Sequence, residues 1–242
     1  SLSELKNKIT MKTSACFEPS LDYLVVKIPR WDLDKFPSTP KTLGSHMKSV
    51  GEVMAIGRNF TEALQKAIRM INPSLAGFEP LPKMEGMDGP ALEKQLREPD
   101  HERVFAVAAA LRKGWSVDRI HELTRIDRWY LHKLKHVNDM NQALVETSGG
   151  LQSLKRNHLA ALKGFGFSDL QIANSLSGGA NELAVRRRRQ QLGVVPYVKQ
   201  IDTLAAEFPA QTNYLYMTYN AKEHDIPFDD NGVMVLGCGP YC

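Results

Sequence analysis

Three cysteines in 242 residues, Cys16, Cys238 and Cys242, are too few and too unevenly placed for a disulfide framework, and their odd number excludes complete pairing. The expected setting is reducing. A run of about 18 or more apolar residues, the minimum for a membrane-spanning helix, is also missing, and the opening SLSELKNKIT has no charged-then-apolar leader. The reading is a soluble chain with no membrane partner, expected in the cytoplasm. Charge of one sign is scarce as well. A formal net charge of +4 over this length does not by itself demand an anionic partner. What is present, 43% hydrophobic and 24% charged residues, is the composition of a globular chain able to bury one large or two modest cores.

The chain has three textures. In residues 1–72, Leu2, Leu5 and Ile9 fit one face of a short helix. DYLVVKIPR (22–30) is extended until Pro29 stops it, and KSVGEVMAIGR (48–58) is extended before a helix over 61–71 that turns Leu64, Ala67, Ile68 and Ile71 inward. Residues 73–90, PSLAGFEPLPKMEGMDGP, are dense in proline and glycine and read as a linker. From 91 to 195 the period is helical throughout. Val104, Val107, Ala108 and Leu111 line a helix that Gly114 ends; Ser116 caps the next; a longer one begins near Asp127; and Ser168 with Gln171 is a capping-box signature. Residues 197–220 return to extended character with Tyr214, Tyr216 and Tyr219. The final VMVLGCGPYC reads as a buried strand feeding a glycine turn, Gly237-Cys238-Gly239, the first half of a phosphate-binding G-x-G-x-x-G. With no helix after it, the chain is expected to be an internal piece of a larger enzyme.

Chemistry-bearing constellations are thin. His132 and His136 stand four apart on a helix, a spacing that suits one metal, but no matching carboxylate or cysteine follows and no metal is assigned. Asp229-Asp230 reads as a turn. Two short helices around a glycine turn, with Arg186, Arg187, Arg188 and Arg189 on the second, have the outline of a nucleic-acid-binding helix-turn-helix. Four consecutive residues, however, sweep about 300° around a helix, so at least one arginine must lie over the packed side with its head snorkelling out. Glu52, amid SVGEVMAIG, must face solvent or sit in a polar cavity beside small neighbours. The adjacent Trp129 and Tyr130 point about 100° apart, so one can pack inward while the other reaches outward toward a partner.

FEPSLDYLVVKIPRWDLDKF (17–36), MKSVGEVMAIGR (47–58), LTRIDRWYLHKL (123–134), GFSDLQIA (166–173), VKQIDTLAAEFPAQTNYLYMTY (198–219) and the closing VMVLGCGPY together resemble the large chain of carbamoyl phosphate synthetase, in the family's order and over nearly the whole chain. LTRIDRWYLHKL is similar to the fused pyrimidine-pathway enzyme and VMVLGCGPY to the urea-cycle type, whose home would be the mitochondrial matrix.

The resemblance implies a mostly α fold: an all-α oligomerisation domain flanked by the α+β tail of one ATP-grasp domain and the first strand of a second α/β unit. Residues 1–72 would end the carboxyphosphate half, 73–231 form the oligomerisation domain with its return connection, and 232–242 open the carbamoyl phosphate half. The parent would make carbamoyl phosphate from bicarbonate, ATP with magnesium, and glutamine-derived ammonia. This segment would hold no complete catalytic or cofactor site of its own, only the truncated turn of Gly237 and Gly239. Its partners would be a second copy of itself, the two ATP-grasp halves and a glutaminase domain, with no nucleic acid. Glu52 falls where the family lines a carbamate tunnel, and Trp129 and Tyr130 are the interface candidates.

Overall fold

The structure, a computed structural model, describes all residues except 9, 19, 148, 205–206, 209–213, 229–231 and 234–242. The glycine turn with Gly237 and Gly239, the strand expected before it and the Asp229-Asp230 pair lie outside the described residues. The described part is helix-rich with two small two-stranded sheets.

Strands β1 (Leu24–Arg30) and β2 (Gly51–Gly57) pair antiparallel, with Val26 opposite Ala55 and Ile28 opposite Val53. Pro29 does not stop the strand as expected. It pairs opposite Glu52, because in a two-stranded ribbon every strand is an edge and the missing N–H can face outward. Helix α1 (Phe60–Ile71) crosses this ribbon; Asn59 caps it by accepting the Glu62 N–H at 2.8 Å, and Ala63, Leu64, Ala67 and Ile68 are buried beneath. The helix expected through Leu2 and Leu5 does not form. Both leucines are exposed, and the segment makes turns closed by a Lys6–Ser14 bridge, since no described residue packs over that face.

The stretch read as a linker is not one. Ala76, Phe78 and Met84 are buried in it, and it carries helix α2 (Pro82–Glu85), because its few apolar residues drop into the same core as the helices that follow. Helices α3 (Gly89–Arg97), α4 (Arg103–Arg112), α5 (Val117–Thr124) and α6 (Arg128–Val145) build that core. Helix α4 sits at its centre, buried from Phe105 to Leu111, while Ser116 caps α5 through its side chain as expected, and Asp127, near which the longer helix was expected to begin, caps α6. A single turn α7 (Gly150–Ser153) leads to α8 (Arg156–Gly164), α9 (Asp169–Ser175) and α10 (Glu182–Gln191). Ser168 caps α9 by accepting the Gln171 N–H at 2.9 Å, but the Gln171 side chain is buried instead of closing the box. Strands β3 (Tyr197–Gln200) and β4 (Leu215–Thr218) then pair antiparallel, and β4 comes back beside β2. The main apolar core thus runs from α1 through all the longer helices, and a smaller cluster of Val53, Ala55 and Ala67 joins the first sheet to α1.

Candidate functional site: a buried polar seam

Chain segments far apart in sequence meet along the polar face of α1. Glu62, 1% exposed, presents Oε2 to three donors: the Arg58 backbone N–H at 3.0 Å, the Thr218 hydroxyl at 2.9 Å and the Asn220 amide at 2.9 Å. Its Oε1 lies 3.1 Å from Lys66 Nζ, one helical turn on. The Lys66 ammonium also donates to the Ile56 carbonyl at 2.8 Å and the Met217 carbonyl at 2.6 Å, joining β2 to β4. Burial pulls Lys66 below the ordinary lysine value, with Glu62 working against that.

The same helix face satisfies the end of α8. Its last carbonyls have no helical partner. Asn59 donates to the Gly164 carbonyl at 3.1 Å, Gln65 to Phe165 at 2.9 Å, and Arg69 to Gly166 at 2.8 Å. Gly166 has φ +88°, and a Cβ there would stand 2.8 Å from Glu62 Cα, so the turn can come this close only with glycine.

Beside the turn lies a buried ionic triad. Asp169 takes Lys163 Nζ at 2.9 Å and Arg189 Nε at 2.9 Å, while Lys163 also donates to the Phe167 carbonyl at 2.6 Å and Arg189 to Val194 at 3.3 Å. Burial lowers Lys163 to about 8, with Asp169 opposing and Arg189 and Arg69 adding repulsion. Burial would raise the Asp169 carboxyl, yet its two cations hold it below the ordinary range. Tyr219 lies under both cations at 5.0 and 5.6 Å, and burial pushes its phenol up to about 12.

The arginine run is therefore divided between core and surface. Arg189 is the one turned inward, but its head does not snorkel; Asp169 holds it inside. Arg188 donates to the Gln152 carbonyl at 3.3 Å, and Arg186 and Arg187 are exposed. Glu52 faces outward on β2, its carboxylate more than half exposed and 2.7 Å from Lys27 Nζ. His136 packs against Phe165 with ring centroids 4.6 Å apart and the planes tilted by 52°. Asp34, His101 and Glu102 gather three groups of ligand type that sequence spacing had not brought together, but a lysine already pairs with each carboxylate, Lys41 with Asp34 and Lys83 with Glu102.

Trp129 and Tyr130, at the start of α6, are 51% and 46% exposed. Neither turns into the core. With Phe60 at the start of α1 they form one aromatic cluster, with centroid separations of 5.0 to 5.7 Å, and the Trp129–Tyr130 pair is edge-to-face at 89°.

Sequence reasoning missed Glu62. Its only local signal is the Glu62, Lys66 spacing, which reads as a surface i, i+4 pair. What buries it is β4, more than 150 residues later.

Buried charges that tie distant segments to one helical core define a scaffold domain. The family model described as carbamoyl-phosphate synthetase large chain, oligomerisation domain, matches residues 52–193, and the chain belongs to that family. It is 52% identical over 243 residues to the carbamoyl-phosphate synthase [ammonia], mitochondrial, of Rattus norvegicus, covering 99% of this chain and 16% of the relative. Against the multifunctional protein pyrABCN of Emericella nidulans it is 52% identical over 240 residues, covering 99% and 10%. Against the carbamoyl phosphate synthase arginine-specific large chain of Eremothecium gossypii it is 53% identical over 242 residues, covering 99% and 21%. The chain thus spans between a tenth and about a fifth of the length of these relatives. Among its described residues no helix is long and apolar enough to cross a membrane.

Proposed function

We propose that this chain is the linking and oligomerisation segment of a carbamoyl phosphate synthetase, an ATP-dependent ligase making carbamoyl phosphate from bicarbonate and ammonia. The match of residues 52–193 to the oligomerisation-domain model carries this reading. Residues 1–72 close the first ATP-grasp half, 73–231 carry the helical domain and its return, and 232–242 open the second half. ATP and magnesium are held by those halves, outside this segment, which is inactive alone. Phosphoryl transfer needs positioned cations around the phosphates, and this segment supplies no complete set. Relatives include a mitochondrial enzyme and fungal multifunctional proteins, so the compartment follows the parent, cytoplasm or matrix.

Self-association runs through the cluster of Phe60, Trp129 and Tyr130. Three aromatic rings at one edge of the helical core leave apolar area that a second copy covers, and buried aromatics dominate interface energies. Light scattering over about a hundredfold dilution tests this. The expected result is a mass falling toward 27.1 kDa on dilution, and a Trp129→Ala, Tyr130→Ala variant already at that mass. A chain monomeric at every concentration, or a variant that associates equally well, overturns it.

Glu52 lines the carbamate passage where a neighbouring domain covers β2. The pairing with Lys27 supports this role, since it offsets the negative charge that would otherwise repel carbamate. In the parent enzyme, a bulky apolar residue at 52 then uncouples ATP hydrolysis from carbamoyl phosphate output. Equal loss of both activities refutes the assignment.

A further inference from the structure

A cavity of about 280 Å³ opens where the end of α4, the last turns of α6, the end of α9 and the segment before α2 converge. Its size is just below that of drug-sized sites, which begin near ~300 Å³, and suits a molecule of amino-acid dimensions, not a nucleotide. Glu79 and Arg112 supply one charge of each sign, and Asn141, Gln142, Asn174 and Ser175 supply carboxamides and a hydroxyl.

The interior of this cavity is built. Asn141 is 6% exposed, and its Oδ1 accepts the Ser175 hydroxyl at 2.6 Å, which leaves its amide N–H groups to donate beside Glu79. Gln171, fully buried behind it, also turns its amide toward Glu79, so two buried carboxamides bear on the one carboxylate of the cavity. Buried carboxamides are almost always satisfied, and gathering two of them on one carboxylate holds Glu79 in place at the wall of the cavity. Burial raises the Glu79 carboxyl above its ordinary value, with Arg112 and the Gln171 and Asn141 amides only partly offsetting this and Glu85 adding repulsion, so the carboxylate gains from a cation placed against it. Arg112 gives one N–H to Glu85 at 3.1 Å and retains further donors.

We propose that this cavity binds a small zwitterion, an α-amino acid, with its ammonium on Glu79 and its carboxylate on Arg112. An inorganic anion would meet Glu79, a simple cation would meet Arg112, and a neutral sugar would leave both charges unused. Only a ligand carrying both signs answers all the groups present. The side chain of the guest faces the carboxamides, which favours a polar residue.

The test is calorimetric titration of the 242-residue chain with each of the common L-amino acids, then with the decarboxylated amine and the N-acetyl derivative of any binder. Saturable binding of at least one amino acid is expected, with both derivatives weaker by roughly tenfold, the loss of about one charged contact. Glu79→Gln weakens it by a similar factor, and the remote Arg187→Gln leaves it unchanged. No saturable binding up to the solubility limit, equal affinity for the amine and the amino acid, or an unaffected Glu79→Gln overturns the proposal. Because the ligand series uses the unaltered protein, a variant that fails to fold cannot mask the answer.

Discussion

Replacing Glu62 by alanine removes the acceptor of three hydrogen bonds and the counter-charge of Lys66 at a site only 1% exposed. The Arg58 N–H, the Thr218 hydroxyl, the Asn220 amide and the Lys66 ammonium each lose a partner in the interior. Breaking one side of a buried ion pair costs about 3–5 kcal/mol. That is a large part of the ~5–15 kcal/mol that holds a typical protein folded. At about 2–4 °C per kcal/mol for a chain of this size, the melting midpoint should fall by roughly 10 °C. Glu62→Gln keeps the shape and one accepting oxygen, so its loss should be nearer ~2 kcal/mol, the cost of weakening charge-assisted bonds. The assay is urea and thermal unfolding followed by circular dichroism, with Thr218→Val made in both wild-type and Glu62→Ala backgrounds. The Thr218 hydroxyl also accepts the Asn220 N–H, a bond lost in both backgrounds, so it cancels in the cycle. A coupling of at least about 1 kcal/mol between positions 62 and 218 is expected. Glu62→Ala within about 1 kcal/mol of wild type, or Thr218→Val costing the same in either background, would refute the reasoning.

Two further outcomes follow from the ionic triad. Arg189→Ala should destabilise by about 2 kcal/mol, because it removes the guanidinium's charged hydrogen bonds to buried Asp169 and leaves that carboxylate with Lys163 alone, whereas Arg187→Ala should stay within about 0.5 kcal/mol; equal effects in denaturant titrations would contradict the division of the arginine run. Lys163 titrates near 8 when folded and near the ordinary ~10.4 when unfolded, so between those values the unfolded chain binds the extra proton and stability rises with pH. Urea midpoints of wild type should therefore climb relative to Lys163→Met over that window, and parallel profiles would count against a depressed ammonium.

Features that residues decide locally were legible. Ser116, Asp127 and Ser168 cap helices because the accepting oxygen and the donating N–H are two or three residues apart, and the inward faces of α1, α5 and α6 follow from a period of 3.6. The family resemblance was carried by segments spread across the chain, and the oligomerisation-domain match agrees with it. What could not be read depended on remote cover. Leu2 and Leu5 have helical spacing but no surface to bury against, so the periodicity is idle. Phe78 and Met84 sit among prolines and glycines, yet the core takes them in, because burial depends on what lies opposite in space. Glu62 and Lys66 look like a solvated helical pair until β4 closes over them. For Arg189, geometry required that one arginine turn inward, but its partner Asp169, twenty residues away, decided that the charge stays there.

The ammonium of Lys66 has a consequence beyond holding two sheets together. Short two-stranded ribbons expose strand edges whose free carbonyls and N–H groups can recruit a strand from another molecule and begin edge-to-edge aggregation. By donating to Ile56 on β2 and Met217 on β4, Lys66 occupies one carbonyl on each strand with a charged donor that offers nothing for a ladder to continue from. The exposed methionines nearby, Met54, Met70 and Met217, would otherwise make this face a sticky template. One buried-stem lysine thus acts as a guard against misassembly.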